Sequence, residues 1–532
     1  MGTRRGALWL VVVAAVAGSA PRLAGSQGSG GSGSTAPEPT PVPPGLSEDD
    51  DGAGSGSGSA LFAPALPAAK RAWLSERITT AISARPSLGG AKIAIAITDL
   101  VSGDELFAVH ADVGMNLASN AKILTAIAAL GTLGNGFRWR TSVFIDPVDE
   151  VGTIAGDIYL RGRGDPLLTV GHLEELADEL LARGIRRIEG RLVLDAGYFD
   201  GDVEPPHFAE QPKERAGFRA PVASLGVSRS AATIKIVAEP AGGPATITLE
   251  PDTGGYLQLT KREVISVNEG RTRLRIEAKP KRDHVEYEVS GQIRAGEGSW
   301  DLRRRVDDPA RFAAEVFRRA LAVRGISIRQ KAFGSGPVPP TAKLIAAHDS
   351  QPLGEVLRFM NKTSDNYVAE SVLKTIGAET RTTPGPATWA DGVAGVRAYL
   401  TTLGLTPGSY RADNGSGLFA ATEVSVHQLV KLLTAAHADY RIGPELLGSL
   451  PIGGVDGTLA RRWHGQPAQG RVRAKTGTLD KVMSLAGYAA TDSRVPLAFA
   501  VVVNDIPPGQ RPIARAMVDD VVAIIAAYLG AR

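Results

Sequence analysis

The strongest constraint on this chain is a change of period in the middle of it. From about residue 146 to 344, runs such as "TIAGDIYLRG", "RLVLDAGYF", "ATIKIVAE", "ATITLEP", "YLQLTKREVISV", "TRLRIEAK" and "HVEYEVSGQI" alternate apolar and polar residues, the pattern of half-buried strands. Helical stretches, "GHLEELADELLARG" and "PARFAAEVFRRALAVRG", interrupt them. The flanks differ. Before the block, the helical run "KRAWLSERITTAISARP" leads into "KIAIAITDL" and "ELFAVHA", two strands of a hairpin across "VSGD". After it, helices dominate until three strand-like runs follow one another in "GRVRAKTGTLDKVMSLAGYAATDSRVPLAFAVVVND". Two early strands and three late ones predict one five-stranded antiparallel sheet flanked by helices. The expected class is α+β, with 70–145 and 345–532 forming one domain and 146–344 a large, mostly β insertion. The basic residues of the insertion are expected on solvated strand faces, a polymer-binding surface being the alternative. The closing run "RPIARAMVDDVVAIIAAYLG" predicts an amphipathic helix on the final strands, because Asp519 and Asp520 would repel an anionic membrane.

Composition removes several function classes. The net charge of +3, with 22% charged residues, makes no case for nucleic-acid binding. There is no cysteine, so disulfides and thiolate chemistry are excluded, and the eight histidines show no H-E-x-x-H or similar zinc spacing. A metallopeptidase is therefore not expected.

The N-terminus reads "MGTRRGALWLVVVAAVAGSA", a basic start and an apolar run from Ala7 to Ala17. That run suits a secretory signal over residues 1–25; Pro21 disfavours cleavage after Ala20, so Ala24 or Gly25 is the expected end. Arg4-Arg5 also allows the twin-arginine route. Residues 26–69, rich in Gly, Ser and Pro, predict a disordered leader that would reach roughly 35 Å as a tether if the signal were kept. No later stretch is long and apolar enough to span a membrane, so an exported protein of the periplasm or cell-wall space is expected, without a stable membrane span after signal cleavage.

The stretch "NLASNAKILTAIAAL" carries the chemistry. Ser119 and Lys122 stand three apart at the start of a helix expected to end at Leu133, before Gly134. Three residues on a helix share a face, so Lys122 reaches the Ser119 hydroxyl. Among Ile123, Leu124 and Ile127 a lysine is desolvated, which favours its neutral form, and a neutral amine can act as a base for a serine nucleophile. Spacing alone does not single out this pair: Ser371 and Lys374 repeat it, and there a polar helix face is expected. Two further elements decide. "KTSDNY" gives Ser364-Asp365-Asn366, and "AKTGT" gives Lys475-Thr476-Gly477-Thr478. Ser266 and Asn268 repeat the S-x-N spacing inside an expected strand.

S-x-x-K, S-x-N and K-T-G in this order resemble the penicillin-recognising serine acyltransferases. Ser364 follows Ser119 by more than two hundred residues. So long an insertion resembles the D-alanyl-D-alanine carboxypeptidase/endopeptidase family, the class C low-molecular-mass penicillin-binding proteins. "GRGDPLL", "DNGSGL" and "LPIGGVDGTLARR" extend the likeness from about Ala91 to the C-terminus. The resemblance implies the β-lactamase/transpeptidase-like fold and cleavage of peptidoglycan stem peptides through an acyl-enzyme on Ser119, a serine that β-lactams also acylate. It implies Lys122 as base and Ser364 as proton carrier to the leaving amine. Asn366 would hold the substrate amide, and Lys475 with the hydroxyls of Thr476 and Thr478 a free carboxylate. Gly477 completes the motif, and the amides of Ser119 and Thr478 would form the oxyanion hole. Lys475 would also be the second cation that lowers the pKa of Lys122, and the resemblance implies no metal or organic cofactor.

Three departures from the family pattern stand out. Leu117-Ala118 replaces the usual Pro-Ala, Asp480-Lys481 follow where a glycine is common, and no tryptophan-containing pattern follows "GYFDGD". Asp200, Asp202 and Glu214 are the residues that could read a diamino-acid side chain instead. The alternatives are a β-lactamase-like or esterase hydrolase on the same fold, and a non-catalytic wall-binding or β-lactam-binding module.

Overall fold

The computed structural model describes residues 67–148, 152–492 and 495–530. The expected signal and nearly all of the expected leader lie outside the described residues.

The five-stranded sheet forms as expected. Its order is Val472–Leu479, Val482–Ala489, Leu497–Asn504, Lys92–Asp99, Glu105–Val109, antiparallel throughout. The first and last segments of the chain meet in its middle, where Lys92 pairs with Asn504 and Asp99 with Leu497. Side chains of a strand alternate between faces, and here size alternates too. Ile95, Ile97, Leu485, Phe499, Val501 and Val503 face the terminal helices Pro67–Ser83 and Arg511–Tyr528. Ala94, Ala96, Ala486, Ala498 and Ala500 face the other side, against Ile123 and Ile127 of the helix Ala121–Leu133 and Leu429 and Leu433 of the helix Val426–Ala438. The small residues on that face let the helix carrying the S-x-x-K motif pack close to the sheet. The C-terminal helix covers the sheet as predicted, and Asp519 turns inward to pair with Arg462.

The helix Ala121–Leu133 ends where expected. Gly134 takes φ 78°, a left-handed position that suits glycine, and its amide closes the last turn on the Leu130 carbonyl at 3.1 Å.

Within the span 146–344 the chain does two things. Residues 232–304 cluster as a compact unit of their own. In it Leu257–Val267, Val285–Arg294 and Arg273–Pro280 form one three-stranded sheet, with Val264, Tyr287, Val289 and Ile293 buried. Several of its cations pair with neighbouring carboxylates, among them Arg275 with Glu277, Lys279 with Glu288 and Lys281 with Glu286. The remainder of the span belongs to the larger unit with the five-stranded sheet. There Gly334–Ser335, Leu192–Asp195, Ile158–Arg161, Arg140–Ile145 and Lys343–Asp349 make a second five-stranded sheet. The helices Val170–Ala182 and Pro309–Val323 pack together, capped by Thr169 and Asp308.

One expectation fails. Ser371 and Lys374 are not on a polar face: they are 1% and 0% exposed. Lys374 Nζ donates to Asp200 Oδ1 at 2.5 Å and to the Asp202 carbonyl at 2.6 Å, and lies 4.4 Å from the centre of the Trp389 ring. The alkyl stem is buried among aromatics while the ammonium finds a carboxylate, which local periodicity cannot reveal. Among the described residues, no helix is long and apolar enough to cross a membrane.

Candidate active site

Ser119 lies in the short turn Ala118–Asn120 that opens the helix Ala121–Leu133. The turn is held in an unusual conformation, with Ala118 at φ 47°. A non-glycine residue there costs about 1 kcal/mol or more and persists only when its surroundings fix it. They do so from both sides. The Leu117 amide donates to Thr422 Oγ1 at 3.0 Å, the Ala118 amide to Asn116 Oδ1 at 2.9 Å, and Ser484 Oγ to the Leu117 carbonyl at 2.7 Å. Asn504 holds both the amide and the carbonyl of Asn116, at 2.7 and 3.0 Å. The Leu117-Ala118 pair thus occupies a turn fixed by side chains from the sheet and from the segment 414–424.

Lys122 is fully buried and its three donors are all used. Nζ reaches Ser119 Oγ at 3.0 Å, Asn366 Oδ1 at 2.8 Å and the Ser416 carbonyl at 2.9 Å. Burial lowers its pKa to about 7, against Glu370 and Asp365, whose charges push it back up. Burial is the cause that lowers it, and Lys475, expected as a second lowering cation, is not among the groups that shift it. The other two acceptors are fixed in role. A carbonyl only accepts, and Asn366 spends its amide nitrogen on the Phe218 carbonyl at 3.2 Å. A neutral amine has two N–H groups and one lone pair. With both N–H groups on Asn366 and Ser416, the lone pair faces the Ser119 hydroxyl.

Ser364 separates two helices, Leu353–Thr363 and Asn366–Thr380, and takes φ 58°. Asp365 starts the second helix by accepting from the Val368 amide at 3.0 Å. That break brings the Ser364 hydroxyl to Lys475, whose Nζ donates to it at 2.8 Å. Lys475 is fully buried on the strand Val472–Leu479 and also donates to the Thr476 carbonyl at 2.8 Å. Thr476 Oγ1 meets Thr458 Oγ1 at 2.9 Å, tying the strand to the "LPIGGVDGTLARR" segment. Thr478 Oγ1 touches Met483 Sδ at 3.7 Å and its side chain is half-buried. Gly477 lies against the Ser119 turn, where a Cβ would stand 2.7 Å from the Leu117 carbonyl and 3.1 Å from the Ser119 nitrogen. Ser119, Ser364 and Asn366 are half-buried, so two buried lysines back a wall of reachable polar groups.

Glu370 was not anticipated. It is fully buried, and its two oxygens accept from the Gly415 and Ser416 amides at 2.9 Å each. Burial pushes its carboxyl up, opposed by those two amides and by Lys122. It thereby fixes the loop whose Ser416 carbonyl holds Lys122. Its one signal in the sequence was position, four residues after Asn366 on the same helix face. The three acidic residues considered for side-chain recognition already have partners. Asp200 pairs with Lys374, Asp202 accepts from the Glu204 amide at 3.3 Å, and Glu214 from the Ala216 amide at 2.8 Å. Asp480-Lys481 form the exposed turn between two strands of the main sheet. Ser266 lies within a strand of the 232–304 unit.

A hydroxyl facing a desolvated amine, with a second serine bonded to a second lysine, is equipped for acyl transfer. Comparison with known proteins agrees. The chain is 32% identical over 486 residues, 88% of each chain, to a D-alanyl-D-alanine carboxypeptidase of Actinomadura sp. (strain R39). It is 27% identical over 395 residues, 74% of this chain and 81% of the other, to D-alanyl-D-alanine carboxypeptidase DacB of Haemophilus influenzae. A crystal structure of penicillin binding protein 4 from that organism, complexed with a β-lactam, superposes with a TM-score of 0.67 at 25% identity, covering 85% of this chain and 99% of that one. Residues 74–525 match the family described as the D-Ala-D-Ala carboxypeptidase 3 (S13) family, and with the whole site inside that span the chain belongs to it.

Proposed function

We propose that this protein is a serine DD-peptidase, removing the terminal D-alanine of peptidoglycan stem peptides or cutting their D-alanyl cross-links through an acyl-enzyme on Ser119. The observation that carries this is the 3.0 Å contact between Lys122 Nζ and Ser119 Oγ, with the other two Lys122 contacts on groups that accept. In the reading proposed, neutral Lys122 takes the Ser119 proton as Oγ attacks the carbonyl of the penultimate D-alanine. The amides of Ser119 and Thr478 stabilise the oxyanion, one such donor contributing about 3–4 kcal/mol. The bond to the last residue then breaks, and Ser364 passes a proton to its leaving amine. Asn366 holds the peptide amide, while Lys475 with the Thr476 and Thr478 hydroxyls binds the free carboxylate. Water finally releases the shortened peptide and restores Ser119.

A β-lactam offers the same carboxylate and acyl carbonyl and acylates the same serine, in line with the β-lactam complex of the Haemophilus influenzae relative. Stem peptides lie outside the cytoplasmic membrane, so the protein acts in the periplasm or cell-wall space, as the signal-like N-terminus suggests.

The test is release of D-alanine from a stem pentapeptide beside turnover of a chromogenic cephalosporin. D-alanine release with no cephalosporin turnover is expected. Rapid cephalosporin turnover without peptide cleavage would make the protein a β-lactamase, and neither activity from folded protein would leave a binding module.

A further inference from the structure

Away from Ser119, three side chains from three elements converge. Asp165 lies in the "GRGDPLL" loop after the strand Ile158–Arg161 and is 4% exposed. Its Oδ1 accepts from the Leu167 amide at 2.9 Å, but its buried Oδ2 has no hydrogen-bond partner among the described residues. His348, on the strand Lys343–Asp349, points Nε2 at that oxygen from 3.8 Å, and this nitrogen too is buried and unpartnered. His172, in the first turn of the helix Val170–Ala182, stacks on His348 with ring centroids 3.9 Å apart. The carboxylate oxygen and a ring nitrogen of each histidine lie within 4.8 Å of one another.

A buried carboxylate oxygen without a donor is costly, and no lysine or arginine among the described residues pairs with this one. A proton or a cation would satisfy it, and burial already pushes Asp165 up to about 7. Geometry favours a cation bridging the groups. At 3.8 Å the oxygen and nitrogen are too far apart for a hydrogen bond, yet close to the roughly 3.3 Å between two ligand atoms that each sit about 2.0 Å from a tetrahedral zinc ion. One carboxylate and two imidazoles form a donor set suited to such a borderline ion.

We propose that Asp165, His172 and His348 form a site for a divalent cation of the Zn²⁺ type, held through Asp165 Oδ2, His348 Nε2 and a ring nitrogen of His172. Three protein ligands leave the fourth tetrahedral position for a water molecule. Stacked rings hold their in-plane lone pairs in nearly parallel planes that do not converge on one point, so binding turns one imidazole out of the stack. His172 Nδ1 accepts from the Thr169 amide at 3.2 Å, which leaves the proton of the neutral ring on Nε2. Ligation through Nε2 moves that proton to Nδ1 and gives up the bond, while Thr169 Oγ1 still caps the helix through the His172 amide at 3.3 Å. Any proton on Asp165 is released to solvent as the ion binds. The ion then ties the loop and helix that carry Asp165 and His172 to the strand of His348, more than 170 residues further along the chain, which is why ligand spacing does not betray the site.

The test is titration of the full chain with Co²⁺, followed by its visible d–d absorption, and with Zn²⁺, followed by thermal melting. The wild-type protein should take up one equivalent of Co²⁺, lose the band when Zn²⁺ is added, and melt at a higher temperature with Zn²⁺ present. Asp165→Asn and His348→Gln should lose the band and the shift while keeping a cooperative melt. His172→Ala, at a half-exposed position, gives the same test if either buried variant fails to fold. No band in the wild-type protein, or a band that survives in the folded variants, would overturn the proposal.

Discussion

Gly477 and Ser119 are in near contact across the site: a Cβ on Gly477 would stand 3.1 Å from the Ser119 nitrogen and 2.2 Å from Ser484 Oγ. Ser484 in turn holds the Leu117 carbonyl, so the K-T-G strand and the Ser119 turn share one hydrogen-bonded wall. Gly477→Ala must push them apart. A loss of about 1–3 kcal/mol in stability is expected from overpacking, with a larger loss in the rate of penicillin acylation. Thermal melting and stopped-flow acylation measure the two. Unchanged acylation in this variant would remove the close approach from the account.

Lys122 sets the pH dependence. With its pKa lowered to about 7 by burial, the free amine predominates above that value. The second-order rate of acylation should therefore climb with pH below about 7 and level off above it. Glu370 opposes the shift, so Glu370→Gln should move the rising limb to lower pH, by on the order of one unit. Rate profiles of the two proteins with one β-lactam give the comparison. A limb that stays in place, or one that moves upward, contradicts this coupling.

Lys475 is proposed to bind the free carboxylate, and its effect should depend on that group. Lys475→Ala should weaken cleavage of a stem peptide with a free C-terminus far more than hydrolysis of an amidated or ester analogue. Values of kcat/KM for the pair of substrates decide it. Equal losses on both would mean that Lys475 acts through Ser364, to which it donates at 2.8 Å, and not on the substrate.

Ser371 and Lys374 repeat the S-x-x-K spacing without its setting. Ser371 Oγ donates back to the Tyr367 carbonyl at 2.9 Å, and Lys374 is occupied by Asp200. Ser371→Ala should leave acylation and D-alanine release within a few-fold of the wild-type rates. Inactivation of a stably folded Ser371→Ala protein would show that the wrong pair has been assigned.

These two S-x-x-K pairs also mark how far the sequence could be read. The five-stranded sheet was legible because its strands are short apolar runs, two before and three after the alternating block, and the "VSGD" turn joining the first two is a local signal. The three motifs were legible because each keeps its residues within four positions of one another, and the structure brings Ser119, Lys122, Ser364, Asn366 and Lys475 together. What hid from the sequence depends on partners brought from elsewhere. Lys374 is buried only because Asp200, Phe199 and Trp389 arrive to receive it. Glu370 acquires its role from the Gly415 and Ser416 amides, and Asp165 meets His348 only in the folded chain. The lowered pKa of Lys122 was legible in direction from its apolar neighbours, but its leading cause, complete burial, needed the sheet packed on its helix.

The most direct test of the account is the intact mass of the protein and of its Ser119→Ala variant after incubation with a penicillin, read beside D-alanine release from a stem pentapeptide. The wild-type protein should gain the mass of one acyl group and release D-alanine. The variant should show neither, with a rate lower by about 10⁵–10⁶. Acylation or D-alanine release that persists in the folded variant would contradict the assignment of Ser119 as the nucleophile.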